Sequence, residues 1–396
     1  MIPESRAGSD PLPSGVSSAP TGRLARWFEI GEGGARSRVL EGVRGLAVAL
    51  VFLVHFDATF SRFLLPGSLA RTVSNWASRI GYHGVDIFFV LSGFLIYRGV
   101  VGRRVSYATF FARRVRRIYP TFLAVFALYV ALSFVVPSYS KLPPEGRATY
   151  LVENLLLLPG VFKIQPLITV SWSLSYEIFF YLSLPLIVGL LQMHRWRPGA
   201  RMAFFAAIPV SLFLIGPITP FTLSRFMIFL PGMMLADLAV GWRDRPKAPA
   251  RLEWLLLPLI VALGIAGVWI EAIPLARLPH FWAADQLRGS NTAIRQTVLI
   301  GGAAALLIGI GLRVDGTIGR FFMWRPLRYL GNMSYSYYLF HGLTLNAIKF
   351  MCDRLLPTDY VSVPMVVVAL PLSFGVTVVT STVLFLVIEK PFSWKS

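Results

Sequence analysis

Arg44 and His55 stand on one hydrophobic segment, LEGVRGLAVALVFLVHF, with ten residues between them. Arg44 begins the apolar run and His55 lies about halfway along it. A helix rises about 1.5 Å per residue, which puts the imidazole roughly 16 Å above the guanidinium, about half the hydrocarbon thickness of a bilayer. A titratable ring at that depth is costly unless it has a partner or a task. One reading of His55 is a polar residue bonded to a neighbouring helix. The other is a general base, since a neutral imidazole can take a proton from a hydroxyl. Arg44 is either a topology anchor or the mouth of a site that joins one membrane surface to a reactive centre in the middle.

The segment FFARRVRRIYP adds Arg113, Arg114, Arg116 and Arg117 at the start of a later apolar run. Arg113, Arg116 and Arg117 can share a helix face, and Arg114 and Arg117 are neighbours at three-residue spacing. Such charges can simply mark the inner side of a membrane. A planar guanidinium also binds phosphate in bidentate fashion, so Arg113, Arg114 and Arg117 beside Arg44 form a candidate site for an anionic ligand. Coenzyme A is one such ligand, with its phosphates at the arginines and its pantetheine arm reaching toward the bilayer centre.

Further polar groups lie inside apolar runs. His83 and Asp86 are three apart in GYHGVDIFFVLSGFLIY, where Asp86 is the group that needs a partner and His83 reads as a boundary residue. Ser92-Gly93 reads as a packing contact. Glu177 in SWSLSYEIFFY must be protonated, paired or beside a wet cavity, with Trp172 as aromatic-belt residue or substrate contact. In LGNMSYSYYLFHGL, Ser334, Tyr338 and His341 share a stripe near the depth of His55. Glu389-Lys390-Pro391 reads as a helix stop at the inner surface. The five histidines and the single Cys352 offer no metal-ligand spacing, and one cysteine permits no disulfide within the chain.

These residues need elements that hold them in lipid. The chain has 396 residues, 55% hydrophobic and 14% charged, with mean hydropathy +0.64. That charge content is well below the roughly 25% of soluble domains. The expected class is an all-α, polytopic integral membrane protein of about ten transmembrane helices with both termini cytoplasmic. The spans fall near 45–65, 82–97, 118–136, 172–191, 203–217, 223–241, 253–271, 297–312, 329–350 and 364–388. On that topology 26 of the 38 Lys and Arg residues lie in inner segments and 10 in outer loops, the bias expected for this orientation. The same placement argues against nucleic acid as the partner of the +19 charge. Residues 1–36 read as a disordered cytoplasmic tail, 37–392 as one transmembrane domain, and 393–396 as a short tail. The stretch 151–161 reads as an interfacial or re-entrant piece.

The segments LEGVRGLAVALVFLVHF, HGVDIFFVLSGFLI, FFARRVRRIYP, SWSLSYEIFFY and SYSYYLFH resemble, in that order, the motif blocks of the membrane-bound acyltransferase-3 family. That family includes O-antigen and modulation-factor O-acetyltransferases and macrolide O-acyltransferases. The resemblance implies transfer of an acyl group, with acetyl-CoA the expected donor, to a hydroxyl of a sugar, cell-surface glycan or natural product at the plasma (inner) membrane. It maps the family's paired arginine and histidine onto Arg44 and His55, its Arg-x-x-Arg element onto Arg114 and Arg117, and its acidic position onto Glu177. Members with a soluble C-terminal hydrolase-like domain extend further, so the expected form here is the stand-alone one. Asp86, His341, Tyr338 and Trp172 are the candidates for orienting base or acceptor. The competing class is a transporter of protons, lipids or glycan carriers, which would also use intramembrane histidine and aspartate.

Overall fold

The computed structural model describes residues 23–29, 35–102, 106–137, 140–215, 225–242, 245–272, 296–357 and 359–393. Most of the remaining N-terminal stretch and the residues after 393, both read as tails, lie outside them. The described residues are all-helical apart from turns and two isolated bridges. The helices are α1 (Arg23–Phe28), α2 (Ala35–Phe60), α3 (Leu69–Tyr82), α4 (Gly84–Gly102), α5 (Tyr107–Val135), α6 (Arg147–Leu155), α7 (Ser171–Leu190), α8 (Pro198–Ile215), α9 (Leu230–Leu238), α10 (Arg251–Ala272), α11 (Gly302–Arg313), α12 (Thr317–Phe322), α13 (Arg325–Asn332), α14 (Ser334–Leu355), α15 (Val363–Leu384) and α16 (Lys390–Ser393).

Among the described residues six stretches are long and apolar enough to cross a membrane: Arg38–Phe63, Leu69–Gly102, Tyr107–Val135, Ser171–Leu190, Arg251–Trp269 and Val363–Ser393. The protein is therefore a membrane protein. Of the other four expected spans, those near 203–217 and 223–241 extend into residues outside the described ones, and Thr297–Arg313 is a shorter apolar helix. α9 has nine residues and follows a 3₁₀ turn over Arg225–Phe229. α14 has 22 residues but carries the polar seam that includes His341, Asn346 and Lys349.

Between apolar helices in lipid, close backbone approach replaces the hydrophobic drive of water-soluble cores. α2 packs along α13, and α4 along α9. At the first contact Gly45 faces the Leu327 carbonyl and Gly331 faces the Glu41 carbonyl; at the second Gly93 faces Phe229 and Gly232 faces the Val90 carbonyl. A methyl at Gly232 would overlap that oxygen. Gly232→Ala is therefore expected to cost about 1–3 kcal/mol, the usual range for overpacking, read as a lower unfolding midpoint in detergent.

Two segments depart from the sequence reading. Residues 23–28, read as tail, form α1. Its buried Phe28 stacks on Tyr329 (5.4 Å between centroids) and Phe385 (6.1 Å), and its carbonyl accepts from Asn332 Nδ2 at 3.0 Å. Glu389 does not mark a helix stop. A π-helical turn over Phe385–Glu389 carries α15 into α16 and turns Glu389 fully inward. Its buried carboxylate takes hydrogen bonds there that outweigh the breaking tendency of Pro391.

Candidate active site

α2 carries both Arg44 and His55. Eleven positions are three turns plus about 20°, so the two side chains leave the helix on the same face, about 16 Å apart along its axis. The His55 ring forms no hydrogen bond among the described residues; only its backbone carbonyl is engaged, by Thr59 Oγ1 at 2.8 Å. α14 brings His341 alongside, with ring centroids 4.8 Å apart and planes at 64°. His341 is fully buried. Its Nδ1 lies 3.1 Å from the Tyr337 carbonyl. A carbonyl only accepts, so this contact assigns the proton to Nδ1 and leaves Nε2 as a lone pair, which has no partner among the described residues.

Beyond His55, on the side away from Arg44, lies a cavity of about 190 Å³ lined by His55, Tyr129, Thr169, Asn346 and Lys349 among others. The site is polar and large enough for water or a hydroxyl-bearing ligand. At its rim Lys141 donates to Thr169 Oγ1 at 2.7 Å, and burial pulls its ammonium below the usual lysine range.

On the Arg44 side, α7 forms the wall. Glu177 is half-buried; Oε1 accepts from Ser92 Oγ (2.8 Å) and Oε2 from the Tyr181 hydroxyl (3.0 Å). Arg44 and Arg114 both lie within electrostatic reach of this carboxylate. The Arg114 guanidinium sits over the rings of Phe110 (5.5 Å) and Tyr181 (5.8 Å), with its buried Nε lacking a hydrogen-bond partner among the described residues. Arg117 meets Glu389 at 3.0 Å, and Glu389 Oε2 also accepts from Ser336 N (3.0 Å) and Ser336 Oγ (2.6 Å). Successive turns of α7 thus step from Pro185 through Tyr181 and Glu177 to Ser173. Ser173 Oγ is 2.7 Å from the Tyr338 hydroxyl, whose ring lies 6.0 Å from His341. The stepped wall runs from the arginines to the histidine pair. At its far end Pro185 and Phe110 line a cavity of about 620 Å³ together with Tyr107 and His194.

The structure thus brings together Arg44, Arg114, Arg117 and Glu177 at one level and His55, His341 and Tyr338 at another. Arg113 is exposed and lies outside the cluster. Asp86 is bonded to His83 at 2.8 Å, and both are buried, so His83 is no boundary residue. Trp172 stacks beneath the guanidinium of Arg225 at 4.7 Å. Four groups were missed: Ser92, Ser173, Arg225 and Glu389. Arg225 and Glu389 were visible as charges within or at the end of apolar runs. Nothing in the spacing separates Ser92 or Ser173 from ordinary packing serines. A larger cavity, about 720 Å³, is lined almost wholly by apolar side chains such as Phe205, Leu230, Trp242 and Leu306 and holds no group suited to acyl transfer.

The family model described as an acyltransferase domain matches residues 38–385, from the foot of α2 to Phe385, where the inward turn that carries Glu389 begins. The chain belongs to the acyltransferase-3 family. It is 26% identical over 329 residues to O-acetyltransferase OatA of Staphylococcus aureus, covering 76% of this chain and 49% of that protein. It is 30% identical over 238 residues to acyltransferase MdmB of Streptomyces mycarofaciens, covering 58% of each. The chain thus spans about half the length of the staphylococcal relative it matches. No solved structure matches it. The matched domain contains every residue of the two levels, and Glu389, the partner of Arg117, lies four residues beyond it.

Proposed function

We propose that this acyltransferase moves an acyl group, in the first instance acetyl, from acyl-CoA to a hydroxyl of a sugar, cell-surface glycan or secondary metabolite. The carrying observation is His55: an imidazole without hydrogen bonds among the described residues that opens on a partly polar cavity, three helical turns above Arg44 on the same face. Arg44, Arg114 and Arg117 take the donor's phosphates, and the cavity bounded by Tyr107, Phe110 and His194 takes its nucleotide end. The pantetheine arm follows the wall of α7 upward. The acceptor enters from the other side of His55, which removes the hydroxyl proton as oxygen attacks the thioester carbon. The C–O bond forms, the C–S bond breaks, and the proton passes to the departing thiolate. Glu177 holds Tyr181 and Ser92 in place and balances the arginines. Ten crossings with both termini cytoplasmic put the donor side in the cytosol. The name of the staphylococcal relative, an O-acetyltransferase, supports acetyl as the group transferred.

Membranes containing the chain, given labelled acetyl-CoA, should release free CoA only when a hydroxyl acceptor is added, and the label should appear on that acceptor. Transport of the acceptor with no label transfer would instead support the carrier class. Within the same assay Arg114→Ala should raise the donor KM about 10- to 100-fold, the loss of a charge-assisted contact of about 1.5–3 kcal/mol, with a smaller effect on kcat.

A further inference from the structure

Three arginines are buried among the described residues: Arg201, Arg225 and Arg328. Arg201 is matched by Asp237, with Nη2 to Oδ1 at 2.5 Å, and Arg328 by Glu41, with Nε to Oε2 at 2.9 Å. Arg225 has no carboxylate among the described residues. Its Nη2 donates to the Tyr82 hydroxyl at 2.5 Å, and its guanidinium is held between the rings of Trp172 (4.7 Å) and Tyr82 (5.2 Å). Nη1 is buried and has no hydrogen-bond partner among the described residues. The two rings fix the fork and leave one pair of donors uncommitted.

The depth of this group matters. Tyr82 follows Gly81, whose Cα faces the Leu50 carbonyl and the Val54 side chain of α2. Those residues are within about 8 Å of rise of His55. Trp172 precedes Ser173, which bonds Tyr338 beside His341, and Arg225 is within electrostatic reach of the Tyr338 hydroxyl. Arg225 therefore stands between the two levels of the site, nearer to the histidine pair than to Arg44.

We propose that Arg225 receives, through Nη1, the oxyanion that forms on the acyl carbonyl during transfer. This rests on the reading that the chemistry occurs at the histidine pair. When the hydroxyl oxygen attacks, the new C–O bond forms and the carbonyl π pair moves onto oxygen. The pair returns as the C–S bond breaks and the thiolate leaves. A neutral thioester does little for a buried guanidinium without a counter-ion. The negative oxygen of the adduct compensates it fully. The interaction is thus much stronger in the transition state than in the ground state, which is the condition for raising kcat.

The test uses the full chain in detergent with Arg225→Gln and Arg225→Lys, saturating both substrates. For Arg225→Gln kcat should fall about 10²–10³-fold, the usual loss on removing an oxyanion donor, with both KM values within about threefold of the parent. The kcat ratio for a chloroacetyl over an acetyl donor should rise, because an electron-poor carbonyl needs less help from the guanidinium. Arg225→Lys keeps the cation but not the fork and should lie between. A raised acceptor KM with kcat retained would overturn the proposal in favour of an anionic group on the acceptor. A fall in kcat with an unchanged donor ratio would overturn it in favour of a packing role, and if Arg225→Gln does not fold, Arg225→Lys carries the same comparison. His55→Ala serves as the separate control. If it retains turnover, the placement of the chemistry is at fault; if it is inactive while the Arg225 variants are normal, only the oxyanion assignment fails.

Discussion

His55→Ala should lower kcat for acyl transfer by about 10²–10⁴-fold, the range supplied by a positioned general base, while the protein stays folded and in the membrane. The structure separates the two effects. The His55 side chain makes no hydrogen bond among the described residues and borders a cavity, so its removal leaves no buried donor or acceptor stranded. Donor binding should survive, because Arg44, Arg114 and Arg117 lie three turns below. The measurement is kcat and donor KM in the coupled CoA-release assay, with the thermal midpoint as control. Near-parental kcat in His55→Ala would remove the ring from the mechanism. His55→Gln, similar in size but without a basic nitrogen, should be equally slow, which distinguishes loss of the base from loss of shape.

Glu389→Ala should be the most destabilising single change at the site, costing about 3 kcal/mol or more. Its carboxylate is fully buried, pairs with Arg117 and takes both the N–H and hydroxyl of Ser336. Removing one partner of a buried pair leaves the other charge uncompensated, at a cost of about 3–5 kcal/mol. The lower end applies here because the Arg117 side chain keeps 19% of its surface accessible. Glu389→Gln retains an acceptor for Ser336 and should lose less. Unfolding in detergent, followed by circular dichroism, measures both. Equal stability of all three proteins would show that the pair is incidental. Donor KM should rise with the loss, because Arg117 is no longer held in place.

Much of this was legible in the sequence, and the divisions are physical. The membrane class followed from hydropathy. The arginine cluster and the two histidines followed from titratable groups placed where lipid makes them expensive, and the match to known motif blocks added order to them. What was not legible depends on pairing across distant segments. Ser92 and Glu177 are 85 residues apart, and Ser336 and Glu389 are 53 apart. A serine in an apolar run looks the same whether it packs or donates to a carboxylate. Glu389 was misread because Pro391 signals a helix end, whereas the wider π turn carries the chain onward. Arg113 stood with its neighbours in the spacing argument, yet the face that turns inward carries only Arg114 and Arg117.

The small cavity and Arg44 lie on opposite sides of His55, so on the proposed mechanism the acyl group passes from one side of the ring to the other. Alcohol, thioester, ester and thiol are all neutral, and the proton that leaves oxygen for sulfur moves together with the electron pair that the breaking C–S bond releases. A full crossing of one charge is worth about 2.3 kcal/mol per 100 mV, but this exchange displaces no net charge, so turnover should be the same in energised and in collapsed vesicles.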